Sequence, residues 1–280
     1  MTRIDQFESL FKAADKPVFH LQEPDLSSVL LVSDRDEQGT AELAGRLQTW
    51  LSVLGPGQRW QSVAGEGSRD LGALLARFDA AEPPDLVITW RHLHSDGWRW
   101  PYSLGEHVDV LTQATSVPVL VLPRPEELEL DAIGSVMVVT DHLAGDETLV
   151  NTALRLLPDG GDLHLTHVED EAALDRFLEL VARIPEIDTD TARELVKRQA
   201  MKEPADYVES IKAALQQARP GLRIHPHVTL GHQLSDHVRL VREHTVDLLV
   251  MNTKDDDQAA MHGLAHPLAV ELRDLPLLML

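Results

Sequence analysis

One short pattern occurs twice in this chain, and the repetition restricts the fold more than any other feature. SSVLLVSD, ending at Asp34, and GSVMVVTD, ending at Asp141, are apolar runs closed by an acid. A run that is apolar at every position has two faces to bury, so each reads as a parallel strand between helical layers. PPDLVITW from Pro83 pairs in the same way with TVDLLVMN from Thr245, and SVPVLVLP pairs with DLPLLML. Amphipathic stretches precede the second strand of each set: SRDLGALLARFDAAEP in the first copy and LSDHVRLVREHTV in the second. Strands alternating with helices imply βαβ units. The expected fold is α/β, with two tandem doubly wound parallel-sheet domains.

The copies differ in length. Asp34 and Asp85 are 51 residues apart, whereas Asp141 and Asp247 are 106 apart. The extra material in the second copy reads as the strand GGDLHLTHVED, a helical stretch from about Thr189 to Ala218, and the strand GLRIHPHVTLG. The first copy runs from a helix over about Thr40 to Leu54 directly into RWQSVAG, so it is the shortened version. PRPEELEL (123–130) has the prolines and acids of a linker. The domains are therefore expected at 1–125 and 131–280. At the N-terminus, Ile4, Phe7, Leu10 and Phe11 share one face of a docking helix. The closing strand of each copy lies at an edge, which favours pairing between copies within the chain and allows a homodimer as well.

Composition excludes several partners. The formal net charge of −21 repels nucleic acid and anionic membrane, whose binding rests on Lys and Arg. With no cysteine, only histidine and carboxylates remain as metal ligands. The N-terminal residues carry acids early and lack an apolar signal region, so the expected location is the cytoplasm.

The second half, from Ile133 to Leu280, resembles the universal stress protein family, and Ser28 to Leu122 does so more weakly. The carriers are VMVVTDHL, DLHLTHVED, VTLGHQLSDHV, DLLVMNT and LPLLML, in that order. The resemblance implies a five-stranded parallel sheet flanked by helices, with tandem copies packed as a pseudo-dimer. It also implies an adenine-nucleotide site (ATP or AMP) after the fourth strand, where ATP-binding members carry G-x2-G-x9-G-[ST]. Glycines there let the loop curl around phosphates, and the final hydroxyl lies at a helix N-terminus.

In this chain the same spacing falls on Asn252, Asp255, Ala265 and His266, with Thr253 beside the first. The register survives and the glycines do not. Asp255, Asp256 and Asp257 would face a triphosphate at a cost of about 1 to 4 kcal/mol per like-charge pair. Pro267 suits a first helical position, which places His266 at the cap. In the first copy Trp90 and Leu93 replace the first two glycines; Gly105 remains, followed by Glu106. By the same resemblance Asp141 and Val168 would lie near an adenine or ribose. The ordinary role of an acid at this turn, Asp34 or Asp141, is to cap the following helix.

Fourteen histidines form a high count. His225 and His227 alternate on a strand and so point to one face, with His232, His237, His262 and His266 further on. Spacing fixes no third ligand, so they read as dispersed histidines and no metal is assigned. His167, where the family commonly has a histidine, reads as packed structure. Trp90 to Tyr102 gathers three of the five tryptophans, which points to packing or a pocket lining.

No nucleophile elbow, Walker loop or zinc-protease motif occurs. The expectation is a non-enzymatic stress-response protein with a regulatory or protective binding role and at most weak nucleotide binding. A nucleotide hydrolase and a ligand-free interaction scaffold are the alternatives.

Overall fold

The computed structural model describes residues 17–100, 102–124, 130, 132–140, 143–184, 188–253 and 263–280, apart from the side chains of Trp98 and Thr189. The expected docking helix, most of the linker, Asp141, His262 and Asp255 to Asp257 lie outside the described residues.

Strands β1 (Ser28–Val32), β2 (Arg59–Val63), β3 (Leu86–Trp90) and β4 (Val119–Leu122) come from the first half. The second half supplies β5 (Ser135–Val139), β6 (Asp162–Asp170), β7 (Arg223–Gly231), β8 (Leu248–Met251) and β9 (Leu277–Met279). The continuous apolar runs β1, β3, β4, β5, β8 and β9 are buried at every position, as strands covered on both faces must be. Helices α1 (Glu37–Trp50), α2 (Leu71–Leu75) and α3 (Glu106–Ala114) connect the first set. The second set has α4 (Glu147–Leu156), α5 (Glu171–Val181), α6 (Thr189–Ala218), α7 (Gln233–Glu243) and α8 (Ala265–Glu271). Among the described residues no helix is long and apolar enough to cross a membrane.

Among the described residues nine strands form one sheet, in the order β2-β1-β3-β4-β9-β8-β5-β6-β7. Every neighbouring pair is parallel except β4 and β9, which meet antiparallel with Leu120 opposite Leu278. The expected intrachain pairing of closing strands is thus a seam in the middle of the sheet. Among the described residues the second half has one strand more than the first, β7, reached through the long helix α6.

The repeat extends to individual hydrogen bonds. Asp85, just before β3, accepts from Ser28 N–H at 2.7 Å, and Asp247, just before β8, accepts from Gly134 and Ser135 N–H at 2.8 Å. Each aspartate therefore holds the entry of its neighbouring strand and satisfies donors that would otherwise be orphaned. Pro118 and Pro276 precede the closing strands, and their carbonyls accept from Val87 and Leu249 N–H.

Two helices differ from expectation. The stretch SRDLGALLARFDAAEP forms only α2, five residues long, because Leu74 is its one fully buried apolar side chain and short helices depend on packing. The first helix begins at Glu37, capped by Asp36, and closes with a separate 3-10 turn at Ser52–Leu54.

Before β1 the chain lies on the second half. Phe19 N–H donates to Ser210 Oγ at 3.1 Å, Gln22 N–H to Asn151 Oδ1 at 2.9 Å, and Asn151 Nδ2 donates back to the His20 carbonyl. The Phe19 ring meets buried Tyr207 edge-on at 6.4 Å. This strap ties α4 and α6 to a segment that then enters β1.

Candidate functional site

In doubly wound sheets ligands bind beyond the carboxyl ends of the strands. In the second half that position holds the exits of β5 and β8. Asp146 caps α4 by accepting from Leu149 N–H at 3.1 Å. Its other oxygen accepts from Asn252 Nδ2 at 2.6 Å, and the Thr140 hydroxyl binds the same carboxylate. Burial raises the Asp146 pKa, while the bonds from Leu149, Asn252 and Thr140 pull it down. Thr253 is buried and donates both N–H (2.9 Å) and Oγ1 (2.7 Å) to the Leu280 carbonyl. The groups that open the loop after β8 are therefore bound within the chain. Asn252 and Thr253 stand together at this exit, whereas Val168 is buried near the end of β6 and Ala265 is buried at the start of α8.

Two capping expectations are corrected. Leu264, not His266, is the cap of α8, and it makes no side-chain capping bond; Pro267 is the third helical residue. Proline lacks an N–H, which is orphaned throughout a first turn, so it tolerates this position as well as the first. Asp36, not Asp34, caps α1, since Asp34 lies too far ahead of the helix, and the cap of α4 is Asp146. Burial raises the pKa of Asp109 in α3, and nearby His266 offsets part of that rise.

The equivalent position in the first half is closed by its own loop. After β3 the backbone turns through positive φ at His92 (59°) and His94 (60°). His94 N–H donates to Asp34 Oδ2 at 3.1 Å, and its ring contacts Ser68 Oγ at 2.6 Å. Gly105 (φ 96°) lies against this turn; a Cβ there would come within 2.7 Å of His92 N and 2.8 Å of His92 Cα. Gly105→Ala should therefore destabilise the protein by about 2 kcal/mol, measured by urea unfolding, since backbone strain and a backbone clash coincide. The aromatic cluster is split: Trp90 is buried in β3, while Trp100 and Tyr102 are 71% and 79% exposed.

Two grooves of about 410 Å³ open elsewhere, one between α6 and β7, the other below β1 near Arg77 and Pro84. Neither is lined by the candidate residues.

No family model and no curated protein matches this sequence. Among solved structures, a universal stress protein from Archaeoglobus fulgidus DSM 4304 aligns at 12% identity over 91% of this chain and 98% of that one, with a TM-score of 0.53. The chain has the universal stress protein fold. A putative universal stress protein from Pseudomonas aeruginosa UCBPP-PA14 aligns at 12% identity over 91% of this chain and 93% of that one, with a TM-score of 0.48. The resemblance read from VMVVTDHL, DLLVMNT and the other segments is thus borne out at the level of the fold.

Within this universal stress protein fold, histidines that look scattered in sequence converge. His225 and His227 share a face of β7, and His164 on β6 joins them: its Nδ1 is 3.1 Å from His227 Nε2. The rings of His164 and His225 stack at 4.7 Å, and His244, which ends α7, lies 4.7 Å from the rings of both His164 and His227. Burial first, then neighbouring histidines, lower the pKa of both His164 and His227 to about 4. His232 and His237 stay apart from this group: His232 precedes α7, and His237 bonds within it to the Gln233 carbonyl. His167 is buried and contacts Glu169 at 3.3 Å, consistent with its expected structural place. Sequence reasoning missed His164 and His244, because neither belongs to the His225–His227 pattern.

Proposed function

We propose that this chain is a non-enzymatic universal stress-type protein of two tandem units, 1–125 and 131–280, acting by regulatory or protective binding. The first unit is a structural partner and the second at most a weak adenine-nucleotide binder. The observation that carries this reading is the Asn252–Asp146 bond, which engages the side chain standing at the first glycine position of the phosphate loop. The closure of Asp34 by His94 supports the same view of the first unit. The acidic run Asp255 to Asp257 adds charge repulsion against a triphosphate.

Freshly purified protein, denatured and analysed by chromatography, should release no stoichiometric nucleotide. Calorimetry with ATP and AMP should give weak or undetectable binding. The double substitution Asp255→Gly with Asp256→Ser should raise ATP affinity by roughly 10-fold or more, because relieving about 1.4 kcal/mol of repulsion is worth that factor. Stoichiometric ATP in the wild-type protein would overturn the reading of the loop. Release of phosphate from ATP would favour a hydrolase, and complete indifference of both proteins to nucleotide would favour an interaction scaffold.

A further inference from the structure

We propose that His164, His227 and His244 form a binding site for one borderline divalent transition-metal ion of the zinc class. Their ligand-capable nitrogens all lie within 4.8 Å of one another. The closest pair, His164 Nδ1 and His227 Nε2, is 3.1 Å apart. Two ligands on a tetrahedral zinc ion, each at about 2.0–2.1 Å, stand about 3.3 Å from one another, so this pair is already close to the spacing that an ion requires.

The three residues come from different elements. His164 is buried on β6, His227 is half-buried on β7, and His244 is exposed at the end of α7. Two are fixed by the sheet, while the third, at a helix terminus, can close over the ion.

Neighbouring groups support the ligands. His225 stacks on His164 with 18° between the rings, while its own Nε2 is held 2.7 Å from Asp162 Oδ1. Asp162 is in turn bridged by Arg223, so this side chain set is fixed rather than free to rotate. Glu243 and Arg239 act on His227 with opposite signs and are paired to each other at 2.9 Å. All-nitrogen ligation suits zinc, nickel, cobalt or copper(II) and not magnesium or calcium, which require oxygen. Three protein ligands leave a fourth position for water.

The site lies at the opposite end of the sheet from the nucleotide crevice. His164 is near the start of β6, and His244 precedes β8, whereas Asn252 follows β8. The proposal therefore stands independently of any nucleotide.

Untagged full-length protein, stripped with chelator, is titrated with Zn2+ against a chromophoric competitor, with Mg2+ as control. One equivalent of Zn2+ should bind, and Co2+ should give the visible absorption of a tetrahedral nitrogen site. His244→Ala, an exposed position that should not disturb folding, should weaken binding about 100-fold, as should His227→Ala. His232→Ala, outside the cluster, should bind like the wild-type protein. Absence of a one-equivalent Zn2+ site, or unchanged affinity in His244→Ala, overturns the proposal.

Discussion

Leu278→Asp should abolish the cooperatively folded state, and Leu278→Ala should lower the unfolding free energy by about 3 kcal/mol. Leu278 is the middle residue of β9, between Leu120 of β4 on one side and Val250 of β8 on the other, all fully buried. A carboxylate there would be desolvated between apolar strands, a cost of several kcal/mol, and protonation would leave an unsatisfied acid in an apolar sheet. The alanine variant removes a buried isobutyl group and leaves a cavity, for which 2–5 kcal/mol is the usual range.

A convenient feature of the sequence allows the seam to be tested directly. All five tryptophans lie at or before Trp100, so tryptophan fluorescence reports the first half, while far-ultraviolet circular dichroism reports both. Since β9 belongs to the second half, Leu278→Ala should shift the fluorescence transition as much as the dichroism transition. A fluorescence midpoint unmoved by the substitution would show that the seam carries little coupling.

Arg91→Ala should cost about 3 kcal/mol. Arg91 leaves β3 and, only 7% exposed, donates through Nη1 to the Ala269 carbonyl and through Nη2 to the Leu272 carbonyl at 2.9 Å. These acceptors belong to the last turn and the cap of α8, where carbonyls lack helical partners and the helix dipole is negative. Burial, with Arg273 nearby, lowers the Arg91 pKa to about 10, which still leaves it charged at neutral pH. Each charge-assisted bond contributes about 1.5–3 kcal/mol, partly offset by relief of the buried charge. Arg91→Lys should lose about half as much, because an ammonium lacks the planar fork that reaches two carbonyls. Unfolding free energies within about 0.5 kcal/mol of wild type, from denaturant titration, would refute this role.

The strands were legible in the sequence wherever both sheet faces are covered, because burial on two sides leaves no polar position to interrupt the run; β1, β3, β5 and β8 are of this kind. The long helix α6 was legible as well, since thirty residues of periodic pattern outweigh one internal proline, Pro204. Caps were less so. Pro267 fits several first-turn positions equally, so it does not by itself select Leu264 as the cap. The contacts of Arg91 and the meeting of His164 with His227 and His244 join residues far apart in the chain, which no local spacing encodes. Gly105 holds the place of the third glycine in the sequence, but its service in the fold is to admit the His92 backbone.

The position of the seam has a consequence for biosynthesis. Val121 pairs with Leu277, 156 residues downstream, so during translation β4 emerges as an unpaired apolar border well before its partner exists. Such a border invites association with other nascent chains. A ribosome pausing between these two strands would prolong that exposure, and chaperone demand should track the time spent there.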